Sequence, residues 1–233
     1  MAWEHQWRNE CCSRQLQTHF VDKAMFAVRA GISVDRLDEL IGIHAIPCPT
    51  YTCDGASIRS AVFVDIPIAE ALSGEYFRPE VRALCDRGRQ GCARGGACGR
   101  AGGTGEEHRA VLQSHCGAKD AVEARVQAYL PFFFNGTFGL CVSDPSTGAG
   151  IVRKEMLQEK LVEVTANGNN AFPADCSGDT LLGLIDDYAD SSMPFSPAEY
   201  HRSSRKRLVD DLRPIVASEG RTHDLAARRL REG

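Results

Sequence analysis

Long apolar runs are missing from this chain. The most hydrophobic stretch, Ala128 to Phe134, is far shorter than the roughly 20 residues a bilayer-spanning helix requires, and the first ten residues, Met-Ala-Trp-Glu-His-Gln-Trp-Arg-Asn-Glu, contain no apolar signal core. No membrane association and a cytoplasmic location are the resulting expectations. A surplus of one charge is missing as well. With 27 Lys and Arg against 31 Asp and Glu, the formal net charge is -4, so polyanion binding would depend on a local patch. Nor is there a glycine-rich phosphate loop, a nucleophile elbow, a repeated Cys-x-x-Cys or an internal repeat. Ten cysteines in 233 residues are too sparse for a disulfide scaffold, and without an export signal they are expected to be thiols. What is present, 43% hydrophobic and 25% charged residues, suits a globular protein long enough to bury one sizeable core or two small ones.

The apolar spacing predicts a mainly α protein in which an N-terminal helix-turn-helix-like module packs on a larger helical body with minor β. The module is placed at residues 1–66, the body at 67–213 with a glycine-rich insertion at 87–105, and a tail at 214–233. Val21 to Ala30 has helical spacing, Gly31 suits a left-handed C-terminal position, and Ser33 can cap Val34 to Ile41. Pro47 and Pro49 end that second helix. Tyr51 to Ile66, with turn formers at Asp54-Gly55, reads as a small hairpin or an extended linker. Short helices are expected near Ile68 to Leu72 and Pro79 to Arg87. Longer ones are expected at Glu106 to His115, Ala118 to Leu130, Ile151 to Thr165 and Thr180 to Tyr188, with Pro131 ending the helix from Ala118 to Leu130. A last helix is expected from the Ser196 cap to about Leu212, with Glu199 at the capping-box position.

Three groups of residues invite chemistry. Arg202, Arg205, Lys206 and Arg207 lie on the first half of the last helix, where i to i+4 spacing would let two cations converge on one phosphate or carboxylate. The plainer alternative is a solvated face paired with Asp210 and Asp211. Next to the cluster, His201 is a candidate general base with Asp186 or Asp187 as its orienting carboxylate. Cys48 and Cys53 form half of a zinc site that Cys85, Cys92, Cys98, His108, His115 or Cys116 could complete. Cys141 and Cys176 read as small buried hydrophobes, and Cys11-Cys12 as an exposed vicinal pair. The helix-turn-helix spacing invites DNA binding, although Asp35, Asp38 and Glu39 on its second helix would be repelled by phosphates. Asn135-Gly-Thr137 is read as a turn.

Phe20 through Tyr51, Asn135-Gly-Thr-Phe-Gly-Leu-Cys141 with Arg153-Lys-Glu, and Ile185-Asp-Asp-Tyr through Arg213 resemble a family of uncharacterised bacterial proteins labelled as natural-product biosynthesis proteins of unknown function. The resemblance implies a setting in secondary metabolism and carries no activity, cofactor or catalytic residue; the insertion at 88–105 departs from it. The expected role is an accessory or tailoring protein binding an acidic small molecule or a carrier-protein partner through Arg202 to Arg207. The alternatives are a DNA-binding regulator and an enzyme using His201.

Overall fold

The computed structural model describes residues 12–68, 71–85 and 119–218. The Glu106 to His115 helix, the insertion, and Cys11, Cys92, Cys98, Cys116, His108 and His115 therefore lie outside the described residues.

The N-terminal region is organised by a sheet, not by a helix-turn-helix. Residues 12–19 form helix α1, and β1 (Val21–Asp22), β2 (Tyr51–Asp54), β3 (Ser57–Arg59), β4 (Ile66–Pro67) and β5 (Ser73–Phe77) assemble in the order β1-β5-β2-β3-β4. Every pairing is antiparallel, with Val21 opposite Phe77, Tyr51 opposite Tyr76 and Cys53 opposite Ile58. The sheet thus uses residues on both sides of position 66. Helices α2 (Lys23–Ala30) and α3 (Val34–Gly42) do form, with Asp22 and Ser33 as N-caps and Gly31 left-handed at φ 62°. Their apolar faces serve the common core, however. Phe26 stacks on Phe77 of β5 at 4.8 Å, and Phe26, Ala27, Ala30, Leu37 and Leu40 join Val126, Phe133, Phe138 and Ile151 in one buried cluster. Lys23 further ties the pair to the sheet by bonding both Asp38 and Glu75. This corrects the expected N-terminal module with minor β: a five-stranded sheet, not a helix pair, is the centre of the region.

The predicted hairpin forms between β2 and β3, closed by Asp54, whose carboxylate accepts from the Ala56 and Ser57 amides at 2.9 and 2.7 Å. Of the helix expected near Ile68 to Leu72, residues 69 and 70 lie outside the described residues, and Ile68, Ala71 and Leu72 are not helical; Pro79–Val81 forms a 3-10 turn running into helical residues 82–85.

Helices dominate the remainder. Helix α4 (Lys119–Phe134) continues through Pro131 instead of stopping there. Its end is set by Gly136, left-handed at φ 85°, where a Cβ would meet Pro49 O at 2.8 Å. Helix α5 (Thr137–Cys141) follows at once, then α6 (Gly148–Val164), capped by the Thr147 hydroxyl on the Gly150 amide, and α7 (Gly178–Ser191), capped by Ser177 on Thr180. Helix α8 (Pro197–Tyr200) begins after Ser196. The last helix does not run unbroken to Leu212. It stops at Tyr200, restarts after Ser203, passes through a π-helical turn at Lys206–Asp210 and continues as α9 (residues 212–218), which includes Pro214.

Two further apolar clusters complete the core. One covers the other side of the sheet with Tyr51, Cys53, Ile58, Leu140 and Met193; the other packs α6, α7 and the 208–216 segment through Leu161, Leu181, Ile185, Tyr188, Leu208 and Leu212. Buried Arg78 ties sheet to helices. Its guanidinium donates to the carbonyls of Gly139, Val142 and Ser143 at 3.1, 3.1 and 2.7 Å, satisfying carbonyls at the end of α5 that helix geometry leaves without partners. No helix among the described residues is long and apolar enough to cross a membrane.

Candidate functional site

Lys154 and Gln158 stand four residues apart on α6, in phase with Ile151 and Leu161, both fully buried. Two polar residues therefore occupy an otherwise apolar stripe. The Lys154 ammonium, only 3% exposed, donates to Gln158 Oε1 at 2.7 Å and Glu155 Oε1 at 2.8 Å and lies 3.6 Å from Cys141 Sγ. Burial works against its charge, but the neighbouring Cys141, Glu155 and Tyr188 groups outweigh it and raise its pKa, so Lys154 remains a cation. Tyr188, wholly buried on α7, sets its hydroxyl 3.1 Å from Gln158 Oε1 and 2.8 Å from Ser204 Oγ. A continuous polar chain thus runs from Lys154 through Gln158 and Tyr188 to Ser204. Burial pushes the Cys141 thiol up despite the nearby ammonium, which disfavours the thiolate.

Lys154, Gln158 and Ser204 of this chain form the floor of a cavity of about 390 Å³, with Tyr188 buried behind them. Its walls are aromatic, with Tyr129 and Phe132 from α4, Phe138 from α5, Phe63 from the β3–β4 loop, and Phe195 before α8. Tyr129 and Phe138 meet edge to face at 6.2 Å, as do Phe63 and Phe195 at 6.4 Å. Burial, with Glu159 and Glu155 nearby, pushes the Tyr129 phenol up to about 12, so this wall stays neutral. Arg202, Ser203, Ser204 and Arg207 complete the lining.

The break after Tyr200 explains why only part of the cationic cluster faces the cavity. The Ser203 hydroxyl donates to Tyr200 O at 2.7 Å and accepts from the Lys206 amide at 3.0 Å, ending one helical segment and capping the next. Arg202 and Arg207 then line the cavity. Arg205 turns the other way, donating to Ala189 O at 2.6 Å and to Ser192 O and Oγ, and so closes the end of α7. The π turn, with the Asp211 amide on Lys206 O at 2.9 Å, places the Lys206 ammonium on Asp211 at i+5 instead of an i+4 carboxylate. The i to i+4 convergence expected within the cluster, which would join Arg202 with Lys206, is therefore replaced by a pairing of Arg202 with Arg207 on the cavity lining. Loop residue Gly168 packs beneath Arg207: at φ 86°, its Cβ would stand 2.9 Å from Arg207 Cγ and 3.0 Å from Arg207 O.

Arg202 and Arg207 have no hydrogen-bond or ion-pair partner among the described residues, and Arg207 Nε is buried without one. The cavity lining holds three cationic side chains, Lys154, Arg202 and Arg207, against the single carboxylate of Glu155. A larger surface groove of about 890 Å³ runs between α4, α6 and α7. Its charges are already matched, Arg125 with Glu159, Arg153 with Asp187 and Lys160 with Glu163.

The other sequence candidates are dispersed. His201 is exposed and does not line the cavity, while Asp186 bonds Arg213 and Asp187 bonds Arg153, so neither carboxylate orients the imidazole. Cys48 is half-buried, and Cys53 is buried in β2 with its thiol pushed up to about 11 by burial and Asp54. Among the described residues, no group of three or more His, Cys, Asp or Glu side chains converges as a metal site would require; Cys85 is buried in the apolar core. Cys12 is buried, and Cys141 and Cys176 are half-buried, which reverses the expected exposure of Cys12. Lys154, Gln158 and the aromatic wall were not anticipated. Their sequence signal is a lysine and a glutamine at core phase between Ile151 and Leu161.

Fold and cavity together define an α+β protein whose helical half holds a cationic, aromatic-lined cavity. Residues 104–216 match a family of unknown function (DUF6058). That stretch contains every residue lining the cavity except Val62 and Phe63. No curated protein and no solved structure matches the chain.

Proposed function

We propose that the cavity binds an acidic small molecule with an apolar or aromatic body, and that the protein serves in an accessory or tailoring role in bacterial natural-product biosynthesis. The observation that carries this reading is the pair Arg202 and Arg207, which open on the aromatic wall without a carboxylate partner. Arg202 is exposed and Arg207 half-buried with its Nε buried and unpartnered, so both can meet a ligand carboxylate or phosphate through a charge-assisted, forked contact. The ligand body would contribute by burying apolar area against Phe63, Phe132, Phe138 and Phe195. The biosynthetic setting rests on the resemblance of Phe20 through Tyr51, Asn135 to Cys141 with Arg153-Lys-Glu, and Ile185 through Arg213. A carrier-protein partner would be served by the same two arginines if it delivered its acid into the cavity.

The test uses 3-phenylpropionate and octanoate as probes in isothermal titration calorimetry. Arg202→Ala combined with Arg207→Ala should weaken binding at least tenfold while leaving the circular dichroism spectrum unchanged, and wild-type affinity should fall as salt rises. Equal affinity in the double variant would overturn the site. Arg205 is left intact because it holds the end of α7.

A further inference from the structure

The floor of the cavity carries polar capacity that an acid head group at the rim would not use. Lys154 and Tyr188 both place a hydroxyl or ammonium group against Gln158 Oε1, at 2.7 and 3.1 Å. That geometry fixes the carboxamide orientation and turns its NH2 group away from both. The NH2 nitrogen has no acceptor among the described residues. Glu155 engages Lys154 through Oε1 alone, so its Oε2 has no donor there. Both residues line the cavity, and the Lys154 ammonium bonds one oxygen of each, at 2.7 and 2.8 Å, so the unused donor and the unused acceptor stand beside one another on its lining.

A hydroxyl is the smallest group that answers both, since it accepts from an amide N–H while donating to a carboxylate. A second ligand carboxylate would be repelled by Glu155, and a ligand ammonium would meet the Lys154 charge at close range. Resting on the reading of the cavity as an organic-acid site, we infer that its ligand is a hydroxylated aromatic acid. The acid group lies on Arg202 and Arg207, the ring among Tyr129, Phe132 and Phe138, and the hydroxyl between Gln158 and Glu155. Gln158 is then a specificity-determining residue. Pockets built around a ligand hydroxyl discriminate strongly against the analogue lacking it, because their own polar groups are then left unpaired.

The experiment compares matched pairs by calorimetry on the whole protein: benzoate with 4-hydroxybenzoate, and 3-phenylpropionate with 3-(4-hydroxyphenyl)propionate. In at least one pair the hydroxylated acid should bind ten times more tightly or better. In Gln158→Glu, which keeps an acceptor for Lys154 and Tyr188 but loses the N–H donor, that preference should fall below about threefold. Arg207→Ala should weaken both members of the pair alike. Equal affinities within both pairs, with Arg207 dependence retained, would overturn the hydroxyl inference while the acid site stood. A preference that survived in folded Gln158→Glu would overturn it as well. No binding by any of the four acids, or binding indifferent to Arg207→Ala, would remove both readings. Should Gln158→Glu fail to fold, the wild-type comparison still decides.

Discussion

Arg78 shows how much one side chain can hold. Its guanidinium, 2% exposed, meets Glu80 at 3.0 Å, three carbonyls at the end of α5, and the Met193 sulfur at 3.1 Å, and it lies 5.8 Å from the Phe20 ring. Replacing it by Met would leave those carbonyls and part of Glu80 without a donor. Arg78→Met is expected to cost roughly 3–5 kcal/mol in urea unfolding, and Arg78→Lys to recover only part, because an ammonium lacks the fork. A loss under about 1 kcal/mol for Arg78→Met would show that the carbonyls find other partners. A second residue links sheet to helices with the opposite charge. Glu199, 1% exposed, accepts from the Tyr51 hydroxyl at 2.5 Å and the Ser196 hydroxyl at 2.9 Å. Burial raises its pKa, while the Tyr51 and Ser196 bonds counteract that only in part. A raised folded value means the native state favours the protonated acid. That contribution is fully present below the unfolded value near 4.5 and is lost as pH rises through the folded value. Glu199→Gln should therefore gain stability relative to wild type between pH 4.5 and 7, read from urea midpoints at the two pH values. Parallel behaviour of the two proteins would refute it.

Elements meet closely where glycine permits. A Cβ on Gly139 of α5 would stand 2.1 Å from Thr50 Oγ1 and 3.3 Å from the Arg78 stem. Gly139→Ala should destabilise by roughly 1–3 kcal/mol, and adding Thr50→Ala should recover part of the loss, a coupling measured by a double-mutant cycle. Gly168→Ala should strain a left-handed turn and displace Arg207, lowering both thermal stability and probe affinity. Neither role is visible in sequence, since each depends on what lies across the gap. Other element features were legible. Gly31 and Ser33 set the α2–α3 turn, Asp54-Gly55 set the hairpin, and the Ile151 stripe set α6, because in each case local chemistry and tertiary packing agree. The strand β5 was not legible. Ser73, Gly74 and Glu75 have little intrinsic strand preference, and the segment is extended because β1 and β2 flank it on both sides. The passage of α4 through Pro131 escaped for a similar reason, since Phe133 is held in the core and fixes the chain beyond the proline. The π turn was hidden too. It admits one extra residue within an otherwise helical segment, which changed which cations face the cavity.

The sheet joins strands from both sides of position 66. Residues 1–66 expressed alone lack β5, the strand lying between β1 and β2, and lack Arg78 and helices α4, α5 and α6, which join Phe26 and Leu37 in the buried cluster. That fragment is expected to give a disordered circular dichroism spectrum and no cooperative melt; a cooperative transition would show an independent unit. Distribution of the cavity walls has a separate consequence for specificity. The cationic rim, the lysine floor and most of the aromatic wall come from the stretch shared with the matched family, whereas Val62 and Phe63 come from a loop of the sheet outside it. If the cavity binds acids as proposed, a protein built from the shared stretch on a different N-terminal region and keeping these arginines would retain charge selection and lose the Phe63 face of the cavity. Shape selection would then be set anew by whatever loop stands where Phe63 stands here.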